Sequence, residues 1–297
     1  ALFIYNGNYN EKYGNKVIIM NTDIKLVALD LDRTTLNSES HLSEVNRQAL
    51  IDAISNGVHV CIASGRAFDT LPEDIISVPG IEYAITSNGA AIYRIAGKEC
   101  LKSYLLTPSS VKTILNLTAN DTVTYEAFIK GQAFASTEYI RHPEKYGATE
   151  HSLAYVRKTR ILKDDIVSFI LEHCHELDSL DIVVGNEELK KNIMDRIRNA
   201  TDEVYMTSSI SQLLEISYKD AGKKSGVKFL TEYLGLSREN VAAFGDADND
   251  TDMIEYAGTG IAMENAAPHL KQIADHITLH HDKDGVAYAF RNILNIC

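Results

Sequence analysis

The sequence predicts an α/β protein with a doubly wound parallel sheet at its core and an α+β domain inserted into that core. Three observations support this prediction. Short apolar runs alternate with helical patterns in the first third of the chain and again in the last third, whereas the middle lacks this alternation. Polar residues directly follow several of the apolar runs. The length of 297 residues is also suited to two domains.

The first predicted strand, residues 26–29, ends in two carboxylates separated by one residue, Asp30 and Asp32. This spacing places both side chains on one face of the chain. Because two neighbouring carboxylates repel each other, we expect a cation, a shared proton or both beside them. The same residues are also compatible with an Asx turn that caps the next helix.

Two strand–helix–strand units follow, and parallel pairing with right-handed crossovers is expected for them. Ser43 is the predicted cap of the first helix and Gly57 its stop signal. The predicted elements are a helix over residues 43–56, a strand over 58–63, a helix over 68–76 and a strand over 83–86.

The middle of the chain mixes short strand-like and helix-like segments, which predicts an α+β domain with its own core. Its predicted strands include residues 122–125 and 180–184, and its predicted helices cover 108–117, 166–176 and 187–199. We expect this inserted domain to span residues 89–206. Residues 22–88 and 207–297 would then form the core, and residues 1–21 an N-terminal extension.

The last third returns to the alternation of strands and helices seen at the start. The predicted elements are a helix over 225–233, a strand over 241–244, a helix over 251–256, a strand over 260–262, a helix over 266–273 and closing segments at 277–279 and 286–293. Both ends of the chain therefore contribute to one sheet.

Composition limits the classes of function. The 29 Lys and Arg residues against 41 Asp and Glu give a net charge of −12, and no basic cluster suggests nucleic-acid binding. No apolar stretch reaches the roughly 18 residues of a membrane span. The four cysteines are widely scattered, which favours reduced thiols and a cytoplasmic location. Oligomeric state follows from none of these features.

In an open parallel sheet, ligands bind beyond the carboxyl ends of the strands. Polar side chains that follow the predicted strands should therefore meet there: Asp30, Asp32, Ser64, Arg66, Asn88, Asp246, Asn249 and Asp250. Their carboxylate oxygens suit Mg²⁺ better than a soft metal. Lys223 or Lys224 could supply a local positive charge. Arg66 could act in catalysis or pair with an acid, and Asn88 could contact a ligand or form a plain Asn-Gly turn.

Four motifs in this order resemble the haloacid dehalogenase-like superfamily, in its Cof-type branch of sugar-phosphate phosphatases with a large inserted α/β cap (class IIB). They are Asp-Leu-Asp-Arg-Thr at 30–34, Ser-Gly-Arg at 64–66, Lys223, and Gly-Asp-Ala-Asp-Asn-Asp at 245–250. The resemblance extends from about residue 24 to the C-terminus. It favours Lys223 over Lys224, because Ser225 then begins the helix as in the family.

The resemblance implies a role for each matching residue. Asp30 would attack phosphorus and become an aspartyl-phosphate, and Asp32 would act as general acid and then as general base. Mg²⁺ would be held by Asp30, the main-chain carbonyl of Asp32, Asp246 and Asp250, the last as a ligand or just outside. The residues implied to bind the phosphate or substrate are Ser64, Lys223, Asn249 and Asn88.

Two residues depart from the family pattern. Arg33 stands where Gly is usual, and Thr35 where an aliphatic residue is usual. If the loop requires a positive φ at Arg33, the strain would cost about 1–3 kcal/mol. If it does not, the side chain points to solvent or toward the substrate. Since both acids and Thr34 are retained, we expect the site to tolerate Arg33.

The leading hypothesis is therefore a Mg²⁺-dependent phosphomonoesterase that acts on small phosphorylated metabolites, in particular sugar phosphates, with the inserted domain closing over the site. A phosphosugar mutase would share the first chemical step. A non-catalytic phospho-acceptor or phosphometabolite-binding protein is the alternative outside enzymology, and Arg33 is the feature that favours it.

Overall fold

The computed structural model describes residues 23–147 and 150–297, so the predicted N-terminal extension lies outside the described residues. Two sheets organise this part of the chain, one of eight strands and one of six. The α/β class with a core sheet and an inserted α+β domain is thereby confirmed. No helix in the described ranges has the length and apolar character needed to cross a membrane.

The strands and helices are numbered in chain order. The strands are β1 (Leu26–Leu29), β2 (His59–Ala63), β3 (Tyr83–Thr86), β4 (Ala91–Arg94), β5 (Glu99–Ser103), β6 (Val123–Ile129), β7 (Gln132–Ser136), β8 (Ile161–Lys163), β9 (Leu177–Val184), β10 (Val204–Thr207), β11 (Leu213–Tyr218), β12 (Val241–Gly245), β13 (Thr259–Ala262) and β14 (His276–Ile277). The helices are α1 (Glu44–Ser55), α2 (Glu73–Ile76), α3 (Pro108–Thr118), α4 (Thr137–Arg141), α5 (Glu150–Thr159), α6 (Ile166–Glu172), α7 (Glu187–Ala200), α8 (Lys223–Tyr233), α9 (Thr251–Tyr256), α10 (Pro268–Ile273) and α11 (Gly285–Ala289).

The core sheet has the order β14-β13-β12-β1-β2-β3-β4-β5. The strands from β14 to β3 pair in parallel, and β4 and β5 extend the sheet in antiparallel fashion. Strand β1 is fully buried and lies between β2, which follows it in sequence, and β12, which comes from the last third. The strand order therefore reverses at β1, where ligands bind in doubly wound sheets.

The second sheet has the order β10-β11-β9-β6-β7-β8 and is mostly antiparallel. Its strands give boundaries that differ from the predicted 89–206. Strands β4 and β5 continue the core sheet beyond residue 89, and β11 belongs to the second sheet although it follows residue 206. We therefore propose that the inserted domain, called the cap below, spans about residues 104–221.

The predicted helix over 68–76 is wrong in its first half. A single 3₁₀ turn at Phe68–Thr70 is followed by an extended Leu71 and by Pro72, and α2 begins only after the proline. A residue that precedes proline avoids the helical region because the proline ring clashes with its backbone, and proline itself suits the start of a helix. Ser43 caps α1 as predicted, accepting a hydrogen bond from the Asn46 amide.

Candidate active site

The candidate site lies at the carboxyl ends of β1 and β12. Asp30 follows β1 directly, and only 5% of its surface is exposed. The next residues form a tight loop, in which the Thr35 hydroxyl donates a hydrogen bond of 2.6 Å to the Asp30 carbonyl oxygen. This bond satisfies the buried hydroxyl of Thr35 and helps to fix the backbone of Asp30.

Lys223 is the cation beside these acids, as the sequence predicts, and Lys224 is not. Its side chain is fully buried, and Nζ donates to Oδ1 of Asp30 and Oδ1 of Asp250, both at 2.6 Å. Lys223 begins α8, which packs closely on the sheet because Gly226 faces Ile85. A Cβ at Gly226 would lie 2.5 Å from the Ile85 side chain. Burial alone would lower the pKa of Lys223, but Asp250 and Asp30 outweigh it and the pKa is raised.

Asp250 organises the loop that follows β12. Its Oδ2 accepts hydrogen bonds from the backbone amides of Asp246, at 2.9 Å, and Ala247, at 3.1 Å. Since Oδ1 is held by Lys223, both oxygens of this fully buried carboxylate are occupied. Asp250 therefore positions Asp246 and Lys223 relative to Asp30.

The donor atoms here fit a hard divalent cation. Carboxylate oxygens of Asp30, Asp246 and Asp250 all lie within 4.8 Å of one another. Oδ2 of Asp30 is buried and has no hydrogen-bond partner in the part of the chain that the structure describes. A buried carboxylate oxygen without a donor is costly, and a cation would satisfy it. An all-oxygen set suits Mg²⁺; the predicted contribution of the Asp32 carbonyl stays a prediction.

The acids repel one another despite Lys223. Burial, followed by the charge of Asp250, raises the pKa of Asp30 well above its ordinary value. The same two causes raise the pKa of Asp246 to about 7. Since like charges favour the neutral form of a carboxyl, either protons or a cation would stabilise Asp30 and Asp246.

Asp32, the second acid of the first motif, is held by Arg66. Nε of Arg66 donates to Oδ2 of Asp32 at 2.9 Å and Nη2 donates to Oδ1 at 2.6 Å, which is a bidentate ion pair. The guanidinium of Arg66 also lies 4.8 Å from the ring centre of Tyr155, a residue of the cap. Of the two predicted roles of Arg66, the structure shows the pairing with an acid.

The predicted phosphate-binding residues line the site or support it. Ser64 is buried, and its Oγ accepts from the Arg66 amide at 3.2 Å, which leaves its hydroxyl hydrogen available to a ligand. Nδ2 of Asn249 donates to Oδ1 of Asn88 at 3.0 Å, and Nδ2 of Asn88 donates to Glu215 of the cap at 3.0 Å. Asn88 is therefore engaged at both ends of its amide, and the predicted contact with substrate stays a prediction.

Arg33 occupies the left-handed conformation that the usual glycine would adopt, with φ 61° and ψ 16°. Nδ2 of Asn265 donates to its carbonyl oxygen at 2.8 Å. Nε of Arg33 lies 3.7 Å from Oδ2 of Asp246, and two thirds of the Arg33 side chain is exposed. The loop thus tolerates arginine, and its charge faces one of the candidate cation ligands.

A cavity of about 520 Å³ joins this site to the cap. From the core it is lined by Asp30, Asp32, Ser64 and Asn249, among others. The cap contributes residues that sequence reasoning did not single out, among them Phe128, Tyr155, Arg160, Asp181 and Glu215. No short motif marks them, because they come together through the pairing of distant strands.

A family model described as haloacid dehalogenase-like hydrolase matches residues 27–290. Phosphatase YwpJ of Bacillus subtilis is 31% identical over 290 residues, which cover 91% of this chain and 100% of YwpJ. The 5-amino-6-(5-phospho-D-ribitylamino)uracil phosphatase YcsE of that organism is 28% identical, with 91% and 96% covered. The solved structure of a haloacid dehalogenase-like hydrolase from B. subtilis superposes with a TM-score of 0.77 at 27% identity, covering 91% of this chain and 100% of that one. The chain therefore belongs to the haloacid dehalogenase-like hydrolase family, in the branch with an inserted α/β cap, as its motifs predict.

Proposed function

We propose that this hydrolase is a Mg²⁺-dependent phosphomonoesterase that acts on small phosphorylated metabolites, in particular sugar phosphates. One observation carries the proposal. Asp30 lines a cavity between the core and the cap, with one carboxylate oxygen held by Lys223 and the other without a partner among the described residues. The phosphatase names of similar chains that match nearly the full length support it.

The chemistry follows from the positions of the two acids. The Asp30 carboxylate forms a bond to phosphorus while the bond from phosphorus to the leaving oxygen breaks, which gives an aspartyl-phosphate. Asp32 donates a proton to the leaving oxygen and later accepts one from the water that hydrolyses the intermediate. Lys223, and Ser64 and Asn249 at the cavity wall, would offset the charge on the phosphate oxygens.

The ion pair of Arg66 with Asp32 matters for the order of these steps. Both carboxylate oxygens of Asp32 accept hydrogen bonds from Arg66. Because neither oxygen then faces a leaving group, Asp32 must release Arg66 before it can act on the leaving oxygen. We infer that substrate binding loosens this pair and that it forms again for hydrolysis.

The acids that would hold the metal are Asp30, Asp246 and Asp250. When bound, a divalent cation would lower the pKa of Asp30 and of Asp246 and would neutralise charge on the phosphate. Residues of the chain do the rest: Lys223 orients Asp30, and Asp250 holds the loop that carries Asp246.

The test is phosphate release from a panel of sugar phosphates and from p-nitrophenyl phosphate, with Mg²⁺ and with EDTA. We expect release that requires Mg²⁺ and that occurs from at least one sugar phosphate. Analysis of the sugar product separates hydrolysis from a mutase, since a mutase returns an isomeric sugar phosphate. Folded protein that binds Mg²⁺ but releases no phosphate from any ester would contradict the proposal and favour a binding role.

A further inference from the structure

The cap wall of the cavity carries a row of three carboxylates. Glu126 on β6, Asp181 on β9 and Glu215 on β11 lie on neighbouring strands, and Asp181 is the direct cross-strand partner of both of the others. Each of the three is only 3% exposed, and all three line the cavity that contains Asp30. Their register therefore places three acidic groups side by side, facing the space that a leaving group must occupy.

Two of these carboxylates already have partners. Arg160 donates from Nε to Oε2 of Glu126 at 2.6 Å, and both side chains are buried. Glu215 accepts from Nδ2 of Asn88 at 3.0 Å and from the backbone amide of Ser209 at 2.7 Å. Glu126 and Glu215 are thus held in place by the protein itself.

Asp181, at the centre of the row, is the least satisfied. Its Oδ1 accepts one hydrogen bond, of 2.9 Å, from the Ser179 hydroxyl. Within residues 23–147 and 150–297, no lysine or arginine forms an ion pair with it. Burial, then Glu215 and Glu126, raise its pKa well above the ordinary value. A buried acid in this state is stabilised by hydrogen-bond donors and destabilised by further negative charge.

Arg160 is not free to compensate for an acidic ligand. Besides its ion pair with Glu126, its guanidinium lies 5.0 Å from the ring centre of Tyr155 and 5.3 Å from that of Phe128. It therefore contacts two aromatic rings and pairs with one of the three carboxylates, and its charge only partly offsets that of Asp181. A second anionic group on the leaving group would meet the other two, which are buried in the cavity wall, where charges interact more strongly than in bulk water.

We propose that the cap selects phosphate monoesters whose leaving group is rich in hydroxyl or amine donors and carries no second anionic group, with Asp181 as the acceptor that recognises those donors. This inference rests on the proposed phosphatase function and names the substrate class of the same site. Phosphorylated polyols and sugars fit it, whereas bisphosphates and phosphorylated sugar acids do not.

A matched pair of substrates tests the proposal. Sorbitol 6-phosphate and 6-phosphogluconate are both open-chain six-carbon esters, and they differ at C1, where one has a hydroxymethyl group and the other a carboxylate. With Mg²⁺, we expect kcat/KM to favour sorbitol 6-phosphate at least tenfold. In Asp181→Asn the ratio should fall at least threefold, since the variant removes negative charge. Asp178→Asn is the control: this buried acid lies on the same strand but not in the cavity wall, and the ratio should be unchanged.

Each outcome of this experiment either supports or overturns the inference. A ratio below two, or a preference for 6-phosphogluconate, overturns the inference and assigns the added anion to a cation, either Lys158 in the wall of the same cavity or the basic residues Lys190, Lys191 and Arg198 of the second cleft. An unchanged ratio in Asp181→Asn overturns the role of Asp181. If this variant does not fold, the wild-type ratio still decides. Release from p-nitrophenyl phosphate but from neither six-carbon ester overturns the inference alone. Release from no ester overturns the proposed function as well.

Discussion

Three carboxylates beside one buried cation occur twice in this protein, once in the core and once in the cap. In the core, Asp30, Asp246 and Asp250 lie near Lys223. In the cap, Glu126, Asp181 and Glu215 form a row and Arg160 pairs with one of them. Both groups line or border the same cavity, so their differences show how one space can combine two tasks.

The two cations are used differently. Lys223 donates to two acids at once and leaves Oδ2 of Asp30 without a partner among the described residues. An ammonium is a compact charge that can share its donors in this way. Among the described residues, Glu126 is the acid that forms an ion pair with Arg160, whose planar guanidinium also contacts two aromatic rings. Under the two proposals above, the core group would bind a cation and a phosphate, whereas the cap group would present its carboxyl groups to the leaving group of the ester.

The largest expected effect distinguishes a core acid, Asp30, from a cap acid, Asp181. Asp30→Asn should lower kcat by three orders of magnitude or more, equivalent to about 4 kcal/mol of barrier or more, because an amide cannot form the aspartyl-phosphate. Asp181→Asn should instead change the ranking of substrates, with a much smaller effect on an aryl phosphate whose aryl group has no hydrogen-bond donor and no anionic group. Steady-state kinetics with p-nitrophenyl phosphate compare the two variants directly.

A matched control for Asp30→Asn is available on the neighbouring loop. Asp248 lies within the last motif, but its side chain is two thirds exposed and faces His269 at 3.3 Å. Asp248→Asn should keep kcat within a factor of two. Turnover of Asp30→Asn near the wild-type value would contradict the mechanism, and comparable losses in Asp30→Asn and Asp181→Asn would contradict the division of tasks between core and cap.

The two groups also differ in how far sequence reasoning reaches. The core acids follow the ends of β1 and β12, and parallel strands bring their carboxyl ends to one edge. Short motifs therefore predict that Asp30, Asp246 and Asp250 meet. The row in the cap depends on the register of three distant strands, β6, β9 and β11. A slip of one residue would turn each side chain to the opposite face, and no local pattern specifies that register.

The boundaries of the cap also depend on strand pairing that local sequence patterns do not specify. Strands β4 and β5 have no motif that distinguishes a core strand from a cap strand, and their pairing with β3 decides the matter. At Arg33, by contrast, the family pattern predicts the local backbone conformation. The usual glycine implies a left-handed residue, and the structure has one there, with arginine in that conformation. Local backbone geometry and the parallel pairing of the core strands were therefore predictable, and the register of the cap strands was not.

The second prediction concerns pH and metal. In metal-free protein, the pKa of Asp246 is about 7 when folded, against 3.8 as its ordinary value. Between these values the folded state holds a proton that the unfolded chain has lost. The free energy of unfolding should therefore decrease as the pH rises from about 4 to 7. Adding Mg²⁺ at pH 7.5, at 100 times its dissociation constant, should restore about 2.7 kcal/mol.

Urea unfolding in EDTA and in Mg²⁺, at pH 5 and pH 7.5, measures both effects. Asp246→Asn should reduce the dependence on pH and abolish most of the stabilisation by Mg²⁺, since the variant removes one of the titrating groups and a candidate ligand. Asp181→Asn should retain the stabilisation by Mg²⁺, because its carboxylate belongs to the cap row. Equal loss of the Mg²⁺ effect in both variants would show that the two groups do not act separately.

The smallest expected effect belongs to Arg33, where the chain departs from its family. Its guanidinium lies 3.7 Å from Oδ2 of Asp246 and is largely exposed, so its interaction should be worth at most about 1 kcal/mol. Because Arg33 places a positive charge near a candidate Mg²⁺ ligand, removal of its side chain should tighten Mg²⁺ binding two- to fivefold.

Titration calorimetry of Arg33→Gly and Arg33→Gln with Mg²⁺ separates the effect of charge from the effect of backbone strain. Both variants lose the charge, and only glycine relieves the left-handed conformation. If the charge is responsible, both bind Mg²⁺ more tightly and to a similar degree, with a smaller gain at high salt. A gain confined to Arg33→Gly would assign the effect to the backbone, and no gain in either would show that the Asp246 carboxylate is as available to a cation beside arginine as beside glycine.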